Sequence, residues 1–162
     1  MRTPPGNGQY ASFDKSRSSQ AVRGGLLRSQ SGKRLPEQLP TTIPMNWITL
    51  DSLAGLEDLV ARSRKNCCLI FKHSTRCSIS SLAKMRLESG WDFSENELLP
   101  YYLDLITFRA LSDEIAQRFH VYHESPQILL IRNGACILDS SHLDIRVDEI
   151  REMVREADSS DV

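Results

Sequence analysis

A compact apolar segment, Cys67–Lys72 (CCLIFK), constrains the fold of this chain more than any other feature. A short run without polar alternation is typical of a strand that is covered on both faces, as in the centre of an α/β sheet. A segment with helical spacing of apolar residues begins at Leu53, and another covers Ile79–Gly90. The sequence therefore predicts an α/β fold in which helices cover both faces of a central sheet.

The chain from residue 45 onward continues this alternation. Asn133-Gly134 is a two-residue turn signal between apolar segments, which predicts an antiparallel hairpin. The first predicted elements are a strand at Trp47–Leu50, a helix that carries Leu53, Leu56, Leu59 and Val60 and is capped by Asp51 or Ser52, and a strand at Cys67–Lys72. A helix at Ile79–Gly90, with apolar Ile79, Leu82 and Met85, and a strand in the second half of Leu98–Thr107 follow. The last predicted elements are a helix at Ser112–Phe119 capped by Ser112, strands at Gln127–Arg132 and Ala135–Leu138, and a helix at Val147–Glu156. This order predicts parallel βαβ units, then a hairpin and a closing helix.

Residues 1–44 differ in composition from the rest of the chain. They hold seven of the 20 Lys/Arg residues and two of the 21 Asp/Glu residues, which leaves 13 basic and 19 acidic residues in 45–162. They have little hydrophobic periodicity and lack the apolar core of a secretory signal. Three interpretations stay open: a disordered extension, a misassigned start before a true start at Met45, and an organellar targeting segment. The predicted domains are an extension at 1–44, a folded domain at 45–157 and a tail at 158–162.

The charge and hydropathy patterns argue against two classes of protein. The acidic balance of residues 45–162 argues against a nucleic-acid-binding domain. No apolar run approaches the roughly 18–20 residues that a membrane-spanning helix needs. The four cysteines, without an export signal, indicate reactive or buried thiols rather than a disulfide framework. We therefore expect a cytoplasmic domain that binds neither nucleic acid nor membranes.

Cys77 is the thiol most favourably placed for chemistry. It lies in the stretch FKHSTRCSIS, between the predicted buried strand and the next helix. Unpaired N–H groups and the helix dipole at a helix start favour the thiolate, which is the nucleophilic form. From position alone, a reactive thiol and a small structural residue both stay open. The neighbours that could add positive potential, cap the helix or donate hydrogen bonds are Lys72, His73, Ser74, Thr75 and Arg76.

The other cysteines are predicted to be structural. Cys67 and Cys68 are neighbours in a strand, so they point to opposite faces and one of them is expected to belong to the core. Cys136 lies in the second strand of the hairpin and is expected to act as a small hydrophobic residue. A zinc site built from one of the neighbouring pair with His73 and Cys77 would lack both a CxxC knuckle and a second pair of ligands, so no metal site is predicted.

A second informative stretch is HESPQILLI, residues 123–131. Pro126 stands directly before a predicted strand, where proline marks an edge or a turn. An X–Pro bond at such a turn is a candidate for the cis form, which about 5–6% of these bonds adopt in folded proteins. The residues by themselves therefore favour a trans bond between Ser125 and Pro126.

These features together resemble a known fold and a known family. The order of elements, the cysteine after the first long strand and the proline before the hairpin resemble the thioredoxin fold. FKHSTRCSIS, HESPQILLI and a body that begins MNWITL are similar to the bacillithiol-system redox-active family, the YtxJ-type monothiol bacilliredoxins, over roughly residues 45–155. The resemblance implies a central mixed β-sheet with helices on both faces, and a cis-proline at Pro126 that faces the nucleophile Cys77. Family members commonly have proline after the active cysteine, where this chain has Ser78.

The resemblance also implies an activity. A monothiol thiol–disulfide exchange protein of this kind removes bacillithiol from S-bacillithiolated proteins through a mixed disulfide on Cys77, and bacillithiol or a reductase regenerates the thiol. Ser80 stands where a CxxC motif has its resolving cysteine, so a local disulfide is not expected. The expected partners are modified proteins and bacillithiol itself, which acts as a co-substrate, and no bound cofactor is expected. The residues implied in substrate binding are His73, Thr75, Arg76, Ser78, Ser125 and Pro126.

Two alternatives belong to other functional classes. One is a thioredoxin-like binding domain in which Cys77 is buried and inert. The other is a monothiol glutaredoxin-like carrier that holds an iron–sulfur cluster through Cys77 and an external thiol.

Overall fold

The computed structural model describes residues 45–160, so the predictions for residues 1–44 and for the end of the tail lie outside the described residues. Within that range no helix is long and apolar enough to cross a membrane. The elements are β1 (Ile48–Thr49), α1 (Leu53–Arg62), β2 (Cys67–His73), α2 (Ser78–Gly90), β3 (Leu98–Asp104), α3 (Arg109–Phe119), β4 (Gln127–Arg132), β5 (Ala135–Ser141), a 3₁₀ turn (His142–Asp144) and α4 (Val147–Ser159).

The strands form one mixed sheet in the order β1-β3-β2-β4-β5. β3 pairs in parallel with β1 and with β2, whereas β4 runs antiparallel to β2 and to β5. Asn133 and Gly134 have φ values of 53° and 76°, the left-handed conformation that a tight hairpin turn requires. The predicted mixed sheet, with parallel units followed by an antiparallel hairpin, is confirmed.

β2 lies in the centre of the sheet and separates two apolar cores. Its seven residues are all buried. Cys67 and Phe71 belong to the core beneath α2 and α4, while Cys68 and Ile70 belong to the core beneath α1 and α3. The prediction that the neighbouring cysteines point to opposite faces is confirmed, and both thiols are buried.

β3 covers Leu98–Asp104, so the prediction of a strand in the second half of Leu98–Thr107 is wrong. Residues 105–107 form a turn instead, because the carboxylate of Asp104 accepts hydrogen bonds from the N–H of Ile106 and the hydroxyl of Thr107. The carbonyl of Tyr102 accepts a hydrogen bond of 2.8 Å from the N–H of Leu50, so Tyr102 faces β1. Alternation along the strand turns Pro100 toward the same edge. Since proline has no N–H to donate, the ladder between these strands begins only at Ile48. The same residue therefore explains why β1 begins one residue later than the predicted start at Trp47.

The first and third helices test the predicted caps. Ser52 caps α1, because its Oγ accepts the N–H of Gly55 at 3.2 Å, as predicted. The predicted cap at Ser112 is wrong: α3 begins at Arg109, with Phe108 as its N-cap residue. Ser112 is instead buried within the helix, where its hydroxyl contacts Nδ1 of His123 at 3.2 Å.

α2 turns small residues toward the core. Its buried residues are Ser80, Ala83 and Leu87, whereas the apolar residues that gave the helical spacing are exposed. The end of the helix also packs closely on α4, since a Cβ atom on Gly90 would lie 3.0 Å from Cγ2 of Val147. The apolar spacing therefore identified the helix but not its buried face.

Candidate active site

The strand register brings three segments to one end of the sheet. Gln127, the first residue of β4, pairs with Lys72 near the end of β2 and with Ser141 at the end of β5. The loop before α2, the loop before β4 and the 3₁₀ turn after β5 consequently lie side by side. Cys77 and Pro126 belong to two of these segments.

Cys77 is the N-cap residue of α2. Its backbone is extended, with φ −113° and ψ 120°, and its side chain makes no capping hydrogen bond. Its N–H donates to the carbonyl of Ser74 at 3.1 Å, and its carbonyl accepts the N–H of Ser81 at 3.1 Å. The partly exposed thiol therefore lies at the positive end of the helix dipole, within reach of solvent.

Ser80 is fully buried and ties this loop to the helix. Its Oγ accepts the N–H of Ser74 at 3.0 Å and lies 2.7 Å from Nδ1 of His73. Burial, followed by repulsion from the charge of Lys84, lowers the pKa of His73 below its ordinary value. The imidazole is therefore neutral near pH 7, and its Nδ1 shares a hydrogen bond with the Ser80 hydroxyl. This hydroxyl is thus bonded to two partners within the loop, His73 and Ser74.

The basic residues near Cys77 have different environments. Lys72 lies on the sheet face opposite α2, fully buried, and donates from Nζ to the carbonyl of Ser112 at 3.2 Å. Burial lowers the pKa of this amine to about 8. His73 is buried and neutral, as described above. Of the three basic residues expected to add positive potential, Arg76 is the one exposed beside the thiol, and Thr75 and Ser78 are exposed next to it.

Pro126 follows a cis peptide bond with Ser125. The trans bond that the residues alone favoured is therefore wrong, and the cis bond implied by the family resemblance is confirmed. The carbonyl of Pro126 accepts the N–H of His142 at 3.0 Å, which fixes the 3₁₀ turn beside it. The preceding loop is held by Gln127, whose Nε2 donates to the carbonyl of Tyr122 at 2.8 Å. The Oγ of Ser125 is buried and has no partner within the described part of the chain.

The other three cysteines are shielded from solvent to a greater or lesser degree, which makes their thiols less reactive. Burial raises the pKa of Cys68 to about 12, and its Sγ contacts the carbonyl of Leu59 at 3.7 Å. Burial also raises the pKa of Cys136 to about 11. Cys67 is fully buried in the other core. All four cysteines lie within the described residues and none is joined in a disulfide, and among residues 45–160 no three potential metal ligands lie close enough to hold an ion.

Two contributors to the site escaped the sequence reasoning. The 3₁₀ turn supplies the N–H of His142 to Pro126, and any residue except proline can supply such a group, so no sequence signal marks it. Ser80 was noted for its place in the motif, but its bond to His73 forms only after the chain has turned from strand into helix. An alternation of polar and apolar residues carries no information about that contact.

Comparison with known proteins assigns the chain to a family. The family of the monothiol bacilliredoxin BrxC matches residues 48–150, a segment that contains Cys77, Ser80 and Pro126. The chain belongs to this family. The monothiol bacilliredoxin assignment agrees with the placement of one accessible thiol at the start of α2 and serine three residues later.

Solved structures confirm the thioredoxin fold of this chain. A protein with a thioredoxin fold, named as a candidate oxidoreductase, is 32% identical, with a TM-score of 0.58, and the match covers 66% of this chain and 92% of that one. A thioredoxin variant from Halobacterium salinarum is 12% identical with a TM-score of 0.55, and the match covers 70% of this chain and 92% of that one. The thioredoxin of Malassezia sympodialis is 12% identical with a TM-score of 0.56, and the match covers 71% of this chain and 94% of that one. The two thioredoxins support the fold alone. Family and fold together make this chain a thiol redox protein.

Proposed function

We propose that this protein is a cytoplasmic monothiol exchange protein that removes bacillithiol from S-bacillithiolated proteins. The observation that carries the proposal is the contrast between two positions of one motif. Cys77 presents an accessible sulfur at the start of α2, whereas Ser80 is buried with its hydroxyl committed to His73 and Ser74. One thiol can therefore capture a group, and no neighbour in the motif can expel it.

The exchange proceeds in two balanced steps. The Cys77 thiolate attacks the bacillithiol sulfur of the mixed disulfide, the old S–S bond breaks, and the protein thiolate leaves and takes a proton from water. Cys77 then carries bacillithiol. A second thiolate, from free bacillithiol or a reductase, attacks the sulfur of the bound bacillithiol, forms a new disulfide with it and releases Cys77 as a thiolate. No bound cofactor is needed.

Substrate binding is assigned to the surface around the sulfur. The exposed guanidinium of Arg76 suits the carboxylates of bacillithiol, because Arg binds carboxylates in a bidentate manner. Thr75 and Ser78 are exposed beside it, and the backbone of Ser125 next to the cis-proline is suited to hold an extended substrate chain. His73 acts differently from the direct contact expected earlier, since it is buried and supports the loop through Ser80.

The decisive test is intact-mass analysis after mixing with a bacillithiolated model protein. The reduced wild type should gain one bacillithiol mass while the model protein is released with a free thiol. Cys77→Ser should gain none, and Cys136→Ser, which removes a shielded thiol, should behave as wild type. Failure of the wild type to accept the group, together with alkylation of Cys77 no faster than that of the buried cysteines, would leave a binding domain without exchange activity.

A further inference from the structure

One exposed face of α2 has an unusual composition. Ile79, Leu82 and Met85 are 45%, 37% and 56% exposed, and their three-residue spacing aligns them on one side of the helix. We call these three residues the α2 ridge. Seven large apolar residues are exposed within residues 45–160; three form the ridge, and a fourth, Leu143, lies on the 3₁₀ turn that contacts α2. Exposed apolar surface is thus concentrated beside the thiol.

Packing within the domain does not bury the ridge. The opposite side of the helix is already occupied, because Ser80 is bonded to His73 and Ala83 lies in the core. The close approach of Gly90 to Val147 fixes the other end of the helix. Rotation of α2 that buried the ridge would break these contacts. An apolar surface of this kind commonly marks a protein-interaction site.

The charges along the ridge are positive. Arg86 follows Leu82 by four residues, so the two side chains are neighbours on the helix surface, and Arg76 precedes the thiol at the other end. Both arginines are exposed. The one acidic residue of α2, Glu88, forms an ion pair with Lys84 and accepts a hydrogen bond from Trp47. Residues 45–162 hold 19 acidic and 13 basic residues, so a positively charged face is a local exception to the overall charge. This face is suited to binding carboxylates.

We propose that the α2 ridge docks the protein substrate, and that it selects a segment with apolar residues and a carboxylate near the modified cysteine. Met85 is eight residues beyond Cys77, about 12 Å along the helix at about 1.5 Å per residue. An extended chain covers that distance in about four residues. The recognised segment therefore has apolar side chains within about four residues of its cysteine, followed by an acidic residue that pairs with Arg86. This inference rests on the proposed exchange reaction and names its preferred protein substrates.

The first experiment compares a small and a large substrate. Second-order rate constants are measured for bacillithiol disulfide and for a bacillithiolated peptide in which two leucines and a glutamate follow the cysteine. The double variant Leu82→Ser/Met85→Ser should react about tenfold more slowly with the peptide, because it loses apolar contact area. Its rate with bacillithiol disulfide should stay within about twofold of wild type. Leu53→Ser, which removes an apolar residue of similar exposure (61%) from α1, is the matched control and should change neither rate.

The second experiment tests the charge. A matched peptide carries lysine in place of glutamate, and Arg86→Glu should reverse the preference of wild type for the acidic peptide. Equal losses with both substrates, or no loss with the peptide, in a double variant that keeps the wild-type melting temperature would overturn docking on the ridge. A wild type that reacts with neither substrate would instead contradict the exchange function itself.

Discussion

Ser80 is the residue whose role the structure changes most. In the sequence it is defined by what it replaces, a resolving cysteine. In the fold it is a buried hydrogen-bonding centre that joins His73, at the end of β2, to the backbone of Ser74. Its motif position could be read from the sequence, because it depends only on spacing from Cys77. Its burial could not, because that depends on how closely α2 approaches the sheet.

Removing the Ser80 hydroxyl should therefore destabilise the domain. Ser80→Ala leaves the N–H of Ser74 and Nδ1 of His73 without their partner, and a buried group left unpaired costs about 1–3 kcal/mol. Ser81→Ala is the matched control, since Ser81 is exposed and its hydroxyl bonds only to the carbonyl of Cys77 within the helix. We expect the control to change the free energy of unfolding by less than about 0.5 kcal/mol in urea denaturation. A loss in Ser80→Ala that also stays below about 0.5 kcal/mol would show that the buried network contributes little to stability.

Sequence patterns predicted a secondary-structure element correctly where one local interaction determines it. The apolar run of β2 and the Asn133-Gly134 turn were predicted correctly, because burial on both faces and positive φ leave few alternatives. The start of α3 was not, because the hydroxyl of Ser112 bonds to a residue eleven positions away rather than to its own helix. The buried face of α2 was not either, because small residues let that helix pack closely against the sheet and α4.

The contact between α2 and α4 can be tested by a double-mutant cycle. Alanine normally favours a helix over glycine by about 1 kcal/mol, but a Cβ on Gly90 would lie 3.0 Å from Cγ2 of Val147, an atom that Val147→Ala removes. Gly90→Ala should therefore be more favourable by about 0.5–1.5 kcal/mol when Val147 is also changed to Ala than when it is kept. The free energies of unfolding of the four proteins give this coupling. If the effects of the two substitutions on the free energy of unfolding were additive, the contact between Gly90 and Val147 would not constrain the two helices.

At the scale of the whole molecule, the two sides of the sheet each enclose a histidine with a depressed pKa. Burial is the main cause for both. Near His73 the charge of Lys84 also lowers the pKa, against the opposing effects of Asp104 and Glu88. Near His123, Lys72 and Arg109 lower the pKa and Asp113 opposes them. Both sides of the domain therefore favour neutral imidazoles.

The domain should lose stability as the solution is acidified below about pH 6.5. In the unfolded chain each histidine takes up a proton near that pH, whereas the folded domain does so only at lower pH. The unfolded state then binds more protons, and the free energy of unfolding falls by up to about 1.4 kcal/mol per pH unit for each of the two histidines. Urea denaturation at pH 7, 6 and 5 measures this slope.

Two variants separate the histidines from other acid effects. His123→Gln should reduce the slope between pH 7 and pH 5, because it removes one of the two groups. His120→Gln, at the exposed end of α3, should leave it unchanged. A slope that is the same in all three proteins would show that His123 does not contribute, and would leave His73 and the carboxylates as the source of the acid sensitivity.

In the proposed cycle, the buried hydroxyl of Ser80 also limits how many reactions one chain can complete. Because the motif holds no second thiol, every turnover consumes a molecule supplied from outside. When small thiols are abundant, the chain is emptied after each capture and acts repeatedly. When neither small thiols nor a reductase are supplied, each copy captures one adduct and stops, so its capacity equals its abundance in the cell. The domain would then react stoichiometrically, with one adduct per chain, and would no longer be a catalyst.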